Sequence, residues 1–159
     1  IQAAVESFRP NASFIQGYHL PSGAYLIDDG GTSNPRGFTA ALELLAELPY
    51  RRRLIITAGM VDLGTETHQI HFQLAQRARE LDCTVVHLGI DGRSEFSQVY
   101  DQELLTSIEA GLVALQQTDA DTVVLIEGKV PLTLEEWLHQ HRRPLTAKEA
   151  HQKQKIRRN

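Results

Sequence analysis

An acidic, glycine-containing segment near the amino terminus has the residue types best suited to ligand chemistry. Residues 28–35 read Asp-Asp-Gly-Gly-Thr-Ser-Asn-Pro. A carboxylate binds cations or accepts hydrogen bonds from hydroxyl groups, and one carboxylate can accept two from a ribose diol. Glycines let the backbone approach a ligand, and the start of a helix attracts anions. A second interpretation needs no ligand: the Asp residues end a strand, the glycines form a turn and Asn34 caps a helix.

Other residues give weaker indications of a site. His68 and His71 are three residues apart on a predicted helix, but two imidazoles without a third ligand nearby do not make a zinc site, so we predict no metal site. His71 also lies beside an apolar stripe, which favours a half-buried structural role. Lys129 follows a predicted strand and could hold a carboxylate or phosphate, or could simply be solvated.

No phosphate loop of the form GxxxxGK[ST] occurs in the chain, and no GxGxxG pattern follows a strand. The chain alone therefore has no visible means of activating ATP.

Strands and helices alternate along the sequence. Residues 13–19 and 24–28 favour strands, and the turn residues Leu20-Pro21-Ser22-Gly23 between them predict a hairpin. Asn34-Pro35 predicts the start of a helix that continues to residue 48. Short apolar runs at 54–57, 85–89 and 122–126 predict buried parallel strands.

Helical patterns fill the gaps between these strands, and a last helix is predicted around residues 133–140. One pattern contains Ile70, Leu74, Ala78 and Leu81, and the next contains Leu104, Ile108, Leu112 and Leu115. The predicted fold class is therefore α/β: a three-layer, Rossmann-like, mostly parallel sheet flanked by helices, with an N-terminal β-hairpin. Ligands of such sheets bind beyond the carboxyl ends of the strands, which places the loops 28–34, 59–67, 89–96 and 127–133 on one rim.

Composition limits the classes of function. The chain has 159 residues, a formal charge of −4 and one cysteine, Cys83, which fits a reducing cytoplasm. No apolar run approaches the roughly 20 residues that would span a bilayer. The only concentrated charge is a basic tail, so nucleic-acid binding has no compositional support.

We predict three segments: a connector over 1–12, the α/β domain over 13–141 and a polar, mobile tail over 142–159. Because the chain starts at Ile1 within a connector-like stretch, we expect an excised domain.

Several of these motifs together resemble the C-terminal domain of Mur ligases. Residues 27–35 are similar to the family's V-I-D-D-S-Y-N-A-N-P, and residues 38–48 to its S-M-x-A-A-L-x-x-L-A-E-L helix. Residues 59–64 with His71 resemble G-D-M-x-E-L-G…H, and residues 121–128 with Glu135-Glu136 resemble D-x-V-L-V-K-G-S…M-E. The order and spacing of these motifs agree from about residue 14 to residue 141.

The resemblance implies a function. Mur ligases use ATP and Mg²⁺ to convert the carboxylate of a UDP-linked muramoyl peptide into an acyl phosphate, which an amino acid or dipeptide attacks to form an amide in peptidoglycan precursor synthesis. Their C-terminal domain closes over a preceding ATPase domain, so we expect no catalytic residue within this chain and no activity from it alone. The expected partners are those substrates and that ATPase domain, in the cytoplasm, with neither nucleic acid nor membrane.

The resemblance also implies roles for individual residues. Asp29, Thr32 and Asn34 would contact the nucleotide, and Asp29 would bind its ribose. Ser33, Arg36, His71 and Lys129 would contact the substrate, and His71 would support the second rim loop.

The sequence departs from the family at Gly31, Thr32, Gly59 and Glu127, where relatives have Tyr, Asn, Asp and Lys. A Glu at the rim in place of Lys reverses a charge and would repel a carboxylate substrate unless Lys129 compensates. Two alternatives therefore stay open. The chain could be a divergent, non-catalytic binding module, or it could belong to a ligase that adds glutamate to folate or amino acids to a storage polymer.

Overall fold

A six-stranded sheet forms the centre of the part of the chain that the computed structural model describes, residues 16–31 and 33–158. Its order is β4-β3-β5-β2-β1-β6. Strands β2, β5, β3 and β4 are parallel to one another, whereas β1 is antiparallel to both β2 and β6. The strands are β1 (Gln16–His19), β2 (Tyr25–Asp29), β3 (Arg52–Thr57), β4 (Cys83–His87), β5 (Thr122–Glu127) and β6 (Arg143–Pro144).

Six α-helices within the described residues connect or follow these strands. They are α1 (Pro35–Glu47), α2 (Thr67–Glu80), α3 (Arg93–Tyr100), α4 (Ile108–Gln116), α5 (Leu132–His141) and α6 (Ala147–Arg158). Short 3₁₀ turns at Gly64–Glu66 and Asp101–Glu103 precede α2 and follow α3.

The alternation of side chains along the strands produces three layers. In β5, Val123 and Leu125 pack into a core cluster with α1, α2 and α3, while Val124 and Ile126 pack into a second cluster with α4 and α5. Both faces of the central strands are covered, which is why these strands read as continuous apolar runs. The predicted three-layer, mostly parallel fold with an N-terminal hairpin is therefore confirmed.

Helix α1 shows how local sequence places the first rim loop. The Asn34 side-chain oxygen accepts a hydrogen bond from the Gly37 N–H at 2.8 Å, and Pro35 occupies the first helical turn. Phe38, Leu42 and Leu45 are buried at helical spacing. The helix therefore starts immediately behind the acidic segment, as the sequence predicts.

Two local predictions were wrong. Residues 93–100 form helix α3, although the sequence predicts a loop as far as residue 96. Leu104 has an extended backbone after a 3₁₀ turn, and α4 begins only at Ile108, where Ser107 caps it. The apolar residues of α3 are few because the helix has only eight residues, which leaves little periodicity to detect.

The C-terminal segment contains regular structure. Strand β6 pairs with β1, and α6 brings the Lys153 ammonium 4.5 Å from the ring centroids of both Tyr25 and Tyr50. These cation–π contacts attach α6 to the α1 side of the sheet. The boundary at residue 142 and the mobility of the tail stay predictions, and the connector over 1–12 lies outside the described residues.

Candidate functional site

The carboxyl ends of four parallel strands meet at one edge of the sheet. In the strand registers, Asp29 pairs with Glu127, Glu127 with Thr57, and Thr57 with His87. These four residues end β2, β5, β3 and β4. Each lies two positions after a strand residue of the core beneath α1, α2 and α3, so all four lie on that face of the sheet. The loops that follow them therefore form the predicted rim.

Asp28 and Asp29 point to opposite faces of the sheet. Asp28 lies on the α5 face, where it forms an ion pair with Arg142 and accepts a hydrogen bond from the Gly30 N–H at 2.9 Å. Arg142 also lies over the Tyr18 ring, 4.1 Å from its centroid. The two adjacent carboxylates thus belong to different environments.

Asp29 and Glu127 form a carboxyl pair on the α1 face. Glu127 is 1% exposed, and its Oε1 accepts a hydrogen bond from Ser33 Oγ at 2.9 Å. Burial, followed by the charge of Asp29, raises the pKa of Glu127 to about 9. Burial also raises the pKa of Asp29, which is half-buried, while its hydrogen bond with Glu127 acts in the opposite direction. At neutral pH Glu127, the more buried of the two, is therefore protonated.

This geometry corrects the expectation of a reversed charge at the rim. Glu127 is neutral at pH 7 and points into the domain, so the change from Lys removes a cation without presenting an anion to a ligand. The sequence could have predicted that Glu127 points inward, because side chains two positions apart in a strand share a face and Val123 and Leu125 face this core.

His71 holds the second rim loop in place. It is fully buried; Nε2 accepts a hydrogen bond from the Met60 N–H at 3.0 Å, and Nδ1 is 2.8 Å from the Thr67 carbonyl oxygen. The two bonds require a neutral ring protonated at Nδ1. Both ring nitrogens are therefore occupied by backbone groups, and the side chain has no surface with which to touch a substrate.

The second and third rim loops pack backbone to backbone. Gly59 has φ +79°, and a Cβ at this position would lie 1.9 Å from the Asp91 carbonyl oxygen. A Cβ at Gly89 would lie 1.7 Å from the Ala58 carbonyl oxygen. Glycine is thus required at both positions, which accounts for the departure at residue 59 from the family's Asp.

His87 is a buried polar residue that the sequence did not single out. Neither ring nitrogen makes a hydrogen bond of normal geometry with another described residue, and the ring lies 5.1 Å from Phe96. Burial, with His71 and Arg93 nearby, lowers the pKa of His87 to about 4, an effect that the Gly89 backbone partly opposes. His87 is therefore neutral under the rim at physiological pH.

The other predicted site residues are more accessible. Asn34 and Arg36 are exposed at the start of α1, although the side-chain oxygen of Asn34 is occupied by the helix cap. Ser33 is half-buried and donates to Glu127. Thr32 lies outside the described residues. The predicted nucleotide-contacting segment therefore begins at the carboxyl pair and continues onto the α1 N-terminus.

A cavity of about 250 Å³ opens on the α5 face of the rim. Lys129 is exposed at its edge. The lining combines groups of both charges with apolar side chains beneath them: Gln16, Asp28, Gly30, Gly31, Ile126, Gly128, Lys129, Val130, Glu135, Leu138, His139 and Arg142. Lys129 and the first loop are thus brought together, whereas His71 belongs to the other face.

Residues 15–130 match the family model described as "Mur ligase, glutamate ligase domain". The chain belongs to the Mur ligase family. The matched range includes three of the four strand-end loops completely and the start of the fourth, so the family resemblance of the motifs is confirmed. No curated protein sequence matches the chain significantly.

Solved structures similar to this Mur ligase domain include two MurF ligases. The MurF ligase from Thermotoga maritima, solved in complex with ADP, has a TM-score of 0.60 and 20% identity, and the match covers 77% of this chain and 29% of that one. MurF from Acinetobacter baumannii has a TM-score of 0.55 and 19% identity, with 77% and 29% covered. The chain therefore spans less than a third of either neighbour, and at this identity the likeness shows the fold.

Within residues 16–31 and 33–158 no group of three or more His, Cys, Asp or Glu side chains is arranged to hold a metal ion. In the same ranges, no helix combines the length and apolar character needed to cross a bilayer.

Proposed function

We propose that this Mur ligase domain is the C-terminal part of a cytoplasmic, ATP-dependent amide ligase of peptidoglycan precursor synthesis. The enzyme would add an amino acid or dipeptide to a UDP-linked muramoyl peptide. One observation carries the proposal: the acidic loop, the N-terminus of α1 and a small cavity of mixed charge share one rim. Because the chain spans 29% of the two MurF ligases, we assign phosphate and Mg²⁺ binding to domains outside this sequence.

The first loop has the groups that a nucleoside requires. Asp29 is half-buried, and its carboxylate can accept hydrogen bonds from both ribose hydroxyls. The N-terminus of the thirteen-residue helix α1 stands behind it and favours an anionic group. ATP would supply the phosphoryl group that activates the substrate carboxylate as an acyl phosphate. Thr32, Asn34 and Arg36 would shape the surrounding surface.

The cavity on the α5 face suits the amine substrate. Ligand pockets for small molecules occupy about 300–1,000 Å³, so a volume of about 250 Å³ fits an amino acid or dipeptide rather than a sugar nucleotide. The Lys129 ammonium can pair with the substrate carboxylate, and Glu135 can accept hydrogen bonds from its ammonium. Leu138 and Val130 supply an apolar floor.

Closure of this rim over an ATPase domain would hold the amine beside the activated carboxylate. Correct positioning of two reactants contributes about 7–11 kcal/mol to catalysis, and exclusion of water protects a hydrolysable intermediate. The domain would therefore contribute positioning and recognition rather than a proton-transferring group.

Separate substitutions test the two halves of the rim in the full-length protein. We expect Asp29→Ala to raise the KM for ATP about tenfold or more, through loss of charge-assisted hydrogen bonds, with little effect on the KM for the amine. Lys129→Ala should do the reverse. Glu47→Gln, an exposed change at the far end of α1, is the matched control. Unchanged kinetics in Asp29→Ala would remove the ribose role.

A non-catalytic binding module is a second candidate, which the buried Glu127 in place of the family's Lys favours. A ligase requires a GxxxxGK[ST] loop in the full-length sequence and ATP-dependent amide formation; a binding module has neither. Isothermal titration of this chain alone should show weak ATP binding. Tight, Mg²⁺-dependent binding would contradict the assignment of phosphate chemistry to other domains.

A further inference from the structure

Glu127 occupies an unusual position for a carboxyl group. It ends the central strand β5, is 1% exposed and has a strand neighbour on each side. The side chains that face it are the Asp29 carboxyl from β2, the Thr57 hydroxyl from β3 and the Ser33 hydroxyl from the loop before α1. Asp29 is the one charged group in this set, so no described cation neutralises the pair directly.

The hydrogen bonds around Glu127 are complete only if the pair holds a proton. Ser33 Oγ donates to Oε1 at 2.9 Å. Oε2 is buried and has no hydrogen-bond partner among the described residues, and the Asp29 side chain is its neighbour on the adjacent strand, in register with Glu127. Two ionised carboxylates would repel each other and leave this oxygen unpaired, which is costly in a buried site. A proton on Oε2, donated to Asp29, satisfies both groups.

The first loop depends on this pair for its shape. Ser33 lies immediately before the α1 cap, and the Gly128 N–H donates to the Asp29 carbonyl oxygen at 3.0 Å. A Cβ at Gly128, which has φ +77°, would lie 2.9 Å from Ser33 Cβ. The end of β5 is therefore in close contact with both ends of the acidic loop, and Glu127 supplies the side-chain link.

We propose that Glu127 is a positioning residue: as a neutral carboxylic acid it accepts a hydrogen bond from Ser33 and donates one to Asp29, and so orients the Asp29 carboxylate towards the ribose hydroxyls of a nucleotide. This role rests on the proposed function of Asp29. Glu127 itself touches no ligand. Its effect is to hold the Asp29 side chain in one rotamer, so that no binding free energy is spent on ordering it.

The proton can be observed without any ligand. Carbon-13 NMR of the carboxyl groups, with Glu127 assigned from the Glu127→Gln variant, should show Glu127 neutral at pH 7 and titrating near pH 9, its pKa in this site. A Glu127 carboxyl carbon that is already ionised at pH 6 would overturn the proposal, whatever the protein binds.

Kinetics of the full-length protein test the positioning role. Glu127→Gln keeps one acceptor and one donor in the same places, so its KM for ATP should stay within about twofold of the wild type. Glu127→Ala should raise that KM about tenfold, with a smaller change in kcat, because a hydrogen bond to a charged group is lost. Glu47→Gln is again the exposed control. Equal losses in the Gln and Ala variants would overturn the proposal.

The pH profile decides the case if Glu127→Ala does not fold. Above pH 9 the wild-type pair loses its proton, so the KM for ATP should rise, whereas the Gln variant should show no such rise. The same alkaline loss in both proteins would overturn the proposal. If Asp29→Ala leaves the KM for ATP unchanged while NMR still shows the shared proton, the ribose role of both residues is wrong, and the proton sharing stands as a structural feature.

Discussion

The two faces of the rim differ in whether their polar side chains are buried or exposed. On the face covered by α1, α2 and α3, polar side chains are buried and point inward: Glu127, Thr57, His71 and His87. On the face covered by α5, the polar side chains surround an open cavity: Asp28, Lys129, Glu135, His139 and Arg142. The adjacent residues Asp28 and Asp29 fall on opposite faces because strand side chains alternate. The polar groups of one face therefore fix the loops from within, and those of the other line an open cavity beside them.

Burial accounts for the contrast. The pKa values of Glu127 and His87 move towards the neutral forms because burial penalises charge. On the α5 face Asp28 and Arg142 keep solvent contact, with side chains 24% and 15% exposed, and form an ion pair. Substitutions on the closed face should therefore affect stability more than those on the open face.

The largest expected effect is at His71. His71→Ala removes a buried ring and leaves the Met60 N–H without its acceptor, so we expect a loss of about 4 kcal/mol in the free energy of unfolding. His68→Ala, on the same helix but with a side chain that is 66% exposed, should cost at most about 1 kcal/mol. Urea denaturation measures both. Similar losses at the two positions would contradict the difference between buried and exposed sites.

A pH effect should follow at His87. Its folded pKa is about 4, whereas a histidine in the unfolded chain has a pKa of about 6.5. Between these values the unfolded chain binds a proton that the folded domain excludes, so stability that is complete above pH 6.5 is lost as the pH falls towards 4, by up to about 3 kcal/mol.

His87→Leu removes this proton, and its unfolding free energy should change less over the same pH range. The exposed His151→Leu should retain the wild-type dependence. Because each variant is compared with itself at two pH values, a constant packing cost of the substitution cancels. Parallel pH curves for wild type and His87→Leu would show that another group causes the acid loss.

Much of the fold follows from local sequence. The runs at 54–57, 85–89 and 122–126 lie within or overlap β3, β4 and β5, and the Asn34-Pro35 cap starts α1. Because parallel strands have their carboxyl ends at one edge of the sheet, the position of the rim could be predicted without knowledge of any contact. Helix α3 was missed because eight residues give too few turns for a periodic signal.

The site was predictable only in outline. The sequence identified the acidic loop and Lys129, but the partners that define their environments are distant in the chain: 94 residues separate Ser33 from Glu127, and 114 separate Asp28 from Arg142. No local pattern reports such pairs. The inward direction of His87 and Glu127 was predictable from the alternation of side chains in β4 and β5, because each of them lies two positions after a buried residue.

The smallest expected effect concerns the open face. Arg142→Leu removes the ion pair with Asp28 and the contact with the Tyr18 ring, and we expect a loss of about 2 kcal/mol in unfolding free energy. Arg143→Leu is the matched control: the Arg143 side chain is 57% exposed in its pair with Glu149, so its loss should change the unfolding free energy much less.

A double-mutant cycle with Asp28→Asn isolates the ion pair, because only the coupling between positions 28 and 142 survives the subtraction. We expect a coupling of about 1–2 kcal/mol that decreases as salt is added, since both side chains retain contact with solvent. A coupling that is independent of salt would mean that this side of the rim is as closed as the α1 side. The Asp28 carboxylate would then be a structural group, unable to adjust to a ligand in the cavity.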